Sequence, residues 1–286
     1  MKYLFALITI ISILISGPVS AETLSTLTQI KNSETIRIGY RESEPPMSFL
    51  DKDNQPVGYS VDLCSLIVNR VKSELKNPNI ATKYVPVTAS NRFDALVDNS
   101  IDILCGATTK TLSRAELVDF TQLSFVTGAS LLSLASSGID TIPDLQGEKI
   151  AVVKNTTTID SLTKVLKQVD SDAIIVPVDS AAEGINAVVN GEVGAFSSDQ
   201  IVLIGLMLTH EHPELFVIGE GVFSFEPFAL AVRRNDAEFR LIADRVLSEL
   251  NRSGNITPIF VKWFGGYIKE VPALLEAMYA LNSTPE

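Results

Sequence analysis

Ile101 to Arg114 reads IDILCGATTKTLSR, an apolar strand followed by a turn rich in threonine. Gly106, just after the strand, allows the backbone to turn sharply, and residues 115–120 beyond the turn are predicted to be helical. Free backbone N–H groups, two adjacent threonine hydroxyls and the guanidinium of Arg114 together suit a bound carboxylate. The alternative is a threonine-rich surface turn with a solvated arginine.

Strands and helices alternate along the chain before this segment. Residues 35–40 and 83–87 have the pattern of strands, whereas residues 60–75 and 90–97 have the pattern of helices. Such β/α alternation forms a parallel sheet, and parallel sheets bind ligands at the carboxyl ends of their strands. The sequence therefore predicts an α/β fold with a ligand site beside the threonine turn.

The composition is that of a globular protein with ample core. The chain has 286 residues, of which 46% are hydrophobic and 20% charged, and this length favours two domains. The formal net charge of -11 argues against nucleic acid or an anionic membrane as the main partner. A cluster of arginines in a cleft can still attract an anion, because the nearest charges set the field there.

Residues 1–21 have the form of a secretory signal peptide. Lys2 precedes an apolar run from Leu4 to Ile15, and small residues at Val19 and Ala21 predict cleavage after Ala21. The apolar run is short for a membrane span, although an uncleaved anchor is the alternative. We therefore expect an exported, soluble mature chain that does not insert into a membrane.

Cys64 and Cys105 are the only cysteines of the chain. They are too far apart for a redox Cys-x-x-Cys motif, and an exported protein meets an oxidising compartment. We therefore predict a disulfide between them, which would stabilise the fold by about 4 kcal/mol in the chain-entropy treatment. Two separately buried thiols are the alternative.

Several spaced motifs together resemble those of one protein family. They are Ile38-Gly39-Tyr40-Arg41-Glu42-Ser43, Gly58-Tyr59-Ser60-Val61-Asp62-Leu63, Asn91-Arg92, and Cys105-Gly106-Ala107-Thr108-Thr109 with Arg114. In this order they resemble the periplasmic polar amino-acid-binding proteins of ABC importers, and among these the glutamate/aspartate-binding branch. The likeness extends over the mature chain as far as Trp263-Phe264-Gly265.

The resemblance implies a type II periplasmic binding protein, in which two α/β lobes are joined by two crossing segments and bind an amino acid between them. Lobe 1 would be discontinuous, with residues 22–130 and 230–286, and lobe 2 would comprise residues 131–229. The apolar stretches Phe125 to Leu134 and Phe225 to Val232 would carry the chain across. We expect a periplasmic monomer that needs no cofactor and delivers its ligand to an ABC transporter permease.

The resemblance also supplies the candidate ligand-binding residues, which are Arg41, Arg92, Ala107, Thr109, Arg114, Thr157, Thr158 and Asp199. Arg114, with Thr109 and Thr157, would hold the α-carboxylate of the ligand, and Asp199 would hold its ammonium group. Helix capping by Thr157 and Asp199 is the alternative at those two positions.

Arg41 and Arg92 would face the side chain of the ligand. Two arginines there favour a second carboxylate, and hence glutamate or aspartate, although a single surface arginine is usually only solvated. Alanines at positions 89, 107 and 181 and Met47 depart from the pattern of the branch, which carries hydroxyl, histidine and aromatic side chains there. Fewer hydrogen-bond partners discriminate less sharply, so a related polar or acidic ligand is the alternative.

Two other functional classes are considered beside transport. An enzyme on the same scaffold, resembling the periplasmic cyclohexadienyl dehydratases, would need a general acid in the cleft. Glu44 and Glu183 are the candidates, and we interpret both as ordinary surface carboxylates. A receptor that presents its ligand to a membrane sensor is the other alternative. No metal site is expected, because His210 and His212 lack further ligand residues.

Overall fold

The computed structural model describes residues 24–286, so the predicted signal peptide, residues 1–21, lies outside the described residues. Two five-stranded sheets and one small three-stranded sheet, with helices around them, form an α/β structure of two lobes. The predicted α/β, two-lobed fold is therefore confirmed.

The strands are, in chain order, β1 (Thr35–Tyr40), β2 (Ser43–Glu44), β3 (Ser48–Leu50), β4 (Pro56–Val57), β5 (Ala81–Pro86), β6 (Ile103–Cys105), β7 (Val118–Thr127), β8 (Ala129–Leu134), β9 (Lys149–Val153), β10 (Ile174–Val178), β11 (Ala195–Asp199), β12 (Phe216–Ile218) and β13 (Glu226–Arg233). The α-helices are α1 (Thr26–Ser33), α2 (Tyr59–Glu74), α3 (Arg92–Val97), α4 (Thr157–Gln168), α5 (Ala181–Val189), α6 (Gln200–Thr209), α7 (Ala237–Ser253), α8 (Ile256–Phe264) and α9 (Ala273–Leu281).

The sheet of lobe 1 has the order β5-β1-β6-β13-β7. β1 is parallel to β5 and β6, whereas β13 runs antiparallel between β6 and β7. β13 follows the strands of lobe 2 in the chain, so segments before and after lobe 2 both contribute strands to this sheet. The carboxyl ends of β1 and β6 meet at one edge, directly before Arg41 and Gly106.

The sheet of lobe 2 has the order β10-β9-β11-β8-β12. β9 is parallel to β10 and β11, and β8 is antiparallel to β11 and β12. The carboxyl ends of β9 and β11 lead into α4 and α6. Parallel strands thus open onto the space between the lobes from both sides, as the strand-helix alternation predicts.

The chain passes from lobe 1 to lobe 2 at Gly128, between β7 and β8, and returns through residues 219–225 to β13. A side chain on Gly128 would place its Cβ 2.3 Å from the carbonyl oxygen of Ser224, so only glycine fits between the two crossing segments. The Ser224 hydroxyl also accepts the N–H of Ala129 at 2.9 Å. The two crossings therefore lie side by side as one hinge.

The helix predicted for residues 115–120 is wrong. Arg114–Glu116 form a single turn of 3-10 helix, and β7 begins at Val118. Val118 and Phe120 are buried and lie on a strand that pairs with β13. Because β13 is distant in sequence, this pairing could not be anticipated from local spacing, and it overrides the local helical pattern.

The predicted disulfide between Cys64 and Cys105 is present. It joins α2 to the end of β6, and both cysteines are fully buried. The Ser60 hydroxyl, also on α2, donates to the carbonyl of Gly106 at 3.1 Å. α2 therefore holds the threonine turn at two points. No helix within residues 24–286 has both the length and the apolar character required to cross a membrane.

Candidate functional site

A narrow cavity of about 20 Å³ lies between the two lobes, at the carboxyl ends of the parallel strands. All but one of the predicted ligand-binding residues line it, namely Arg41, Arg92, Ala107, Thr109, Arg114, Thr157 and Asp199. The exception is Thr158, which is buried in the first turn of α4. The fold thus brings together residues that are up to 158 positions apart along the printed sequence, from Arg41 to Asp199.

Arg114 lies at the lobe 1 side of the cavity. Its Nη1 donates to the carbonyl oxygen of Thr109 at 2.8 Å, and its Cζ lies 5.5 Å from the ring centroid of Phe93. Burial lowers the pKa of this guanidinium, while the charges of Glu226 and Asp199 act in the opposite direction. Arg114 is thus held in place with donors available to a carboxylate.

Glu226 is a central group of the site that the sequence analysis missed. It is 1% exposed, and its Oε2 accepts the hydroxyls of Thr109 at 2.6 Å and Thr157 at 2.8 Å. Its Oε1 accepts the Ser224 hydroxyl at 2.7 Å. Glu226 begins β13, so the returning strand joins the threonines of the two lobes. Its only sequence signal is a single carboxylate directly before a buried apolar strand.

Thr109 and Thr157 therefore have a different environment from the one expected. Each hydroxyl carries one proton, and in this structure both protons are oriented to Glu226. The two hydroxyl oxygens also lie 3.4 Å apart across the cleft. The free N–H groups at the start of α4 remain as further donors on the lobe 2 side.

Arg92 carries the least satisfied charge of the cleft. Its side chain is buried and its Nη2 donates across the cleft to the carbonyl oxygen of Asn155 at 3.1 Å. Nε and Nη1 are buried and have no hydrogen-bond partner among residues 24–286. Burial, followed by the positive charges of Arg114 and Arg41, lowers the pKa of Arg92 to about 9. This guanidinium therefore needs an acceptor.

Arg41 is paired within the protein. Its Nη1 lies 2.8 Å from Oε1 of Glu44, and both residues are buried, with 5% and 9% exposure. Oε2 of Glu44 also accepts the N–H of Ala107 at 3.3 Å. Our interpretation of Glu44 as a surface carboxylate is wrong, because the β2-β3 turn folds it inwards towards Arg41. The local sequence, in which two prolines follow Glu44, does not indicate that this carboxylate is buried.

Asp199 faces the cavity from the end of β11. Its Oδ1 is buried and has no hydrogen-bond partner among the described residues, and its side chain does not cap α6. Burial, then the negative charges of Glu226 and Glu44, raise the pKa of this carboxyl well above its ordinary value. A bound cation would pair with Asp199 and would offset the repulsion from Glu226 and Glu44.

The four residues that depart from the family pattern lie in two different environments. Ala107 and Ala181 line the cavity, so they remove polar groups from its wall. Ala89 and Met47 are buried in the core of lobe 1. The cavity wall therefore consists of three arginines, the carboxylates of Glu44 and Asp199, and small or hydroxyl side chains. Paired charges of both signs can bind a zwitterion, with Arg92 left for a further acceptor.

The sequence profile of the bacterial extracellular solute-binding proteins, family 3, matches residues 36–266. The L-glutamate/L-aspartate-binding protein of Pseudomonas aeruginosa is 33% identical over 89% of this chain and 85% of that protein. The glutamate/aspartate import solute-binding protein of Salmonella typhimurium is 31% identical over 84% of this chain and 80% of that protein.

Solved structures have the same architecture. The crystal structure of a mutant of ArgBP from T. maritima superposes with a TM-score of 0.74 and 26% identity. The match covers 84% of this chain and 99% of that chain.

Proposed function

The chain belongs to the bacterial extracellular solute-binding proteins of family 3, and on that premise we propose that it binds glutamate or aspartate between its lobes. We further propose that the closed, loaded protein delivers this amino acid to an ABC import permease. The protein would act as a periplasmic monomer once residues 1–21 are removed.

One observation supports this function most directly. A single cavity is lined by Asp199, whose buried Oδ1 has no partner among the described residues, by the buried Arg92, whose Nε and Nη1 are unpaired there, and by the half-buried Arg114. An α-ammonium would pair with Asp199 and an α-carboxylate with Arg114. A side-chain carboxylate would then pair with Arg92. Buried charges demand such partners, because an unpaired buried charge costs several kcal/mol.

The binding sequence follows from the two lobes. Ligand would first dock on lobe 1, where Arg114 and Arg92 lie, and lobe 2 would then close to add Asp199 and the N–H groups of Thr157 and Thr158. The Arg92 bond to the Asn155 carbonyl joins the lobes at the wall of the cavity. A permease that recognises the closed shape would thereby distinguish the loaded protein.

Isothermal titration calorimetry of residues 22–286 tests the proposal. Protein freed of carried-over ligand is titrated with glutamate, aspartate, their amides, arginine and simple dicarboxylates. We expect heat with glutamate or aspartate and no heat with dicarboxylates that lack an ammonium group. Absence of binding to every amino acid would contradict the proposed function.

Arg114→Ala should weaken binding by at least about 2 kcal/mol, roughly 30-fold, because the buried α-carboxylate loses its charged partner. Arg70→Ala is the matched control, since Arg70 pairs with Glu249 on the outer surface. Equal affinity of the Arg114 variant and the wild type would remove Arg114 from the site.

An enzyme is the second candidate function, because Glu44 lies in the cleft and not on the surface. Incubation with a cyclohexadienyl substrate, followed by chromatography for phenylpyruvate or phenylalanine, tests it. Product above that made by a Glu44→Gln variant would favour catalysis. Product equal to the buffer blank would dispose of this candidate.

A further inference from the structure

Glu44 introduces a fixed negative charge into the part of the cavity that would receive the ligand side chain. Its Oε1 lies 2.8 Å from Nη1 of Arg41, and its Oε2 accepts the N–H of Ala107 at 3.3 Å. Ala107 and Ala181 add no polar group to this wall. Beside the paired Arg41, the charged groups of this wall are an acceptor, Glu44, and a donor, Arg92.

The charged residues of the cavity face different ends of the ligand. Under the proposed function, Arg114 and Asp199 hold the two α-groups. Glu44 balances the charge of Arg41. Arg92 has no such salt bridge, and two of its donor nitrogens, Nε and Nη1, are buried and unpaired among the described residues. A side-chain carboxylate would gain Arg92 but would also approach the Glu44 carboxylate.

A donor next to an acceptor is complementary to a carboxamide. Its carbonyl oxygen accepts from a guanidinium, and its NH₂ group donates to a carboxylate. We propose that Glu44 is a specificity-determining residue that admits amino acids with a carboxamide side chain, glutamine or asparagine, alongside the acidic ones. The proposal rests on the proposed function, because it assumes an amino acid bound in this cavity.

Electrostatics gives the direction of the effect. Two like charges a few ångströms apart in a partly buried site repel appreciably at an effective dielectric constant of about 20, and the ion pair with Arg41 reduces this repulsion without removing it. Glu44 therefore lowers the affinity for a carboxylate side chain and leaves that for an amide largely unaffected. The negative charge of Glu44 also acts on Arg92 and on Asp199, so it is felt across the cavity.

The test compares dissociation constants for glutamate, glutamine, aspartate and asparagine in the wild type and in Glu44→Gln, which keeps the shape and removes the charge. In the wild type each amide should bind within about tenfold of its acid. In Glu44→Gln the acid-to-amide preference should rise at least about tenfold, chiefly through tighter binding of the acid. Thermal unfolding of each variant checks that it is folded.

Glu42→Gln is the control, because Glu42 lies two residues away and is exposed. Its acid-to-amide ratio should stay at the wild-type value. If Glu44→Gln does not fold, Glu44→Asp, which withdraws the carboxylate while keeping the charge near Arg41, should shift the same ratio in the same direction, by less. An unchanged ratio in the folded variant, or a wild type that rejects both amides more than about 100-fold, overturns the role of Glu44. A wild type that binds no amino acid would instead overturn the proposed function itself.

Discussion

Asp199 and Arg92 carry buried polar atoms that lack partners within the described residues. Each such group costs about 1–3 kcal/mol, and charged groups cost more. The cost is recovered only when a ligand supplies the missing partners. At these two side chains the requirements of binding and of stability therefore oppose one another.

Asp199→Asn should raise the free energy of unfolding of the ligand-free protein by about 1 kcal/mol or more, because an amide has no charge to bury. It should also weaken amino-acid binding, since the ammonium loses its anion. The raised pKa of Asp199 gives the pH dependence. The folded state disfavours the charged carboxylate, so this destabilising effect is absent at low pH and grows as pH rises above the ordinary carboxyl range.

Urea denaturation of both proteins at several pH values measures this effect. The stability difference should favour the variant more at about pH 7 than at about pH 4. Ser198→Ala, one residue away on β11, is the control. A variant that is less stable than the wild type at neutral pH would show that Asp199 is already well paired.

At the level of secondary structure, the threonine turn depends on α2. Three features join them: the Cys64–Cys105 disulfide, the Ser60 bond to the Gly106 carbonyl, and the packing of α2 against β6. The turn then presents Ala107 and Thr109 to the cavity. A site on a turn between two strands is positioned precisely only when such supports fix its backbone.

Replacing both cysteines by alanine should lower the free energy of unfolding by about 4 kcal/mol, because the reduced chain regains the entropy of a closed loop. The two cysteines are separated by 41 positions. Urea denaturation of the oxidised wild type against the double variant measures the loss. Treating the double variant with reductant should have no effect. Equal stability of the two proteins would contradict the entropy argument.

For the molecule as a whole, the lobes meet closely where α6 contacts the segment after Glu44. Gly205 on α6 faces the backbone of Pro45 in lobe 1, and a Cβ there would lie 2.1 Å from the Pro45 carbonyl oxygen. The Arg92–Asn155 bond and the bond from Asn155 Nδ2 to the Ser90 hydroxyl, 2.9 Å, also join the lobes. Closure of the two lobes therefore requires glycine at position 205 on α6.

Gly205→Ala should weaken ligand binding by about 1–3 kcal/mol, because the added methyl group opposes closure. Alanine is also the better helix former, so stability of the open protein should not fall. Calorimetry gives the affinity, and small-angle X-ray scattering gives the radius of gyration with ligand. Gly266→Ala is the control, since no atom lies within 4 Å of its Cβ position. Wild-type affinity in the Gly205 variant would refute this role.

Several properties could be predicted from the sequence because they depend on local order. Strand-helix alternation predicted the α/β class, and the helical pattern of residues 60–75 predicted the helix observed as α2. Two cysteines in a chain predicted to be exported also predicted the disulfide. Spaced motifs predicted the family, and the positions they supplied for Arg114 and Asp199 lie together in the cavity.

The tertiary structure alone decided how the charges are paired. Glu44, interpreted as a surface residue, is folded against Arg41, and Glu226 joins the threonines of both lobes. Pairing with β13 makes the residues from Val118 onwards a strand. The physical reason is common to all three. Burial and the partner of a charge are set by segments distant in the chain, and the free energy of a charge depends on both.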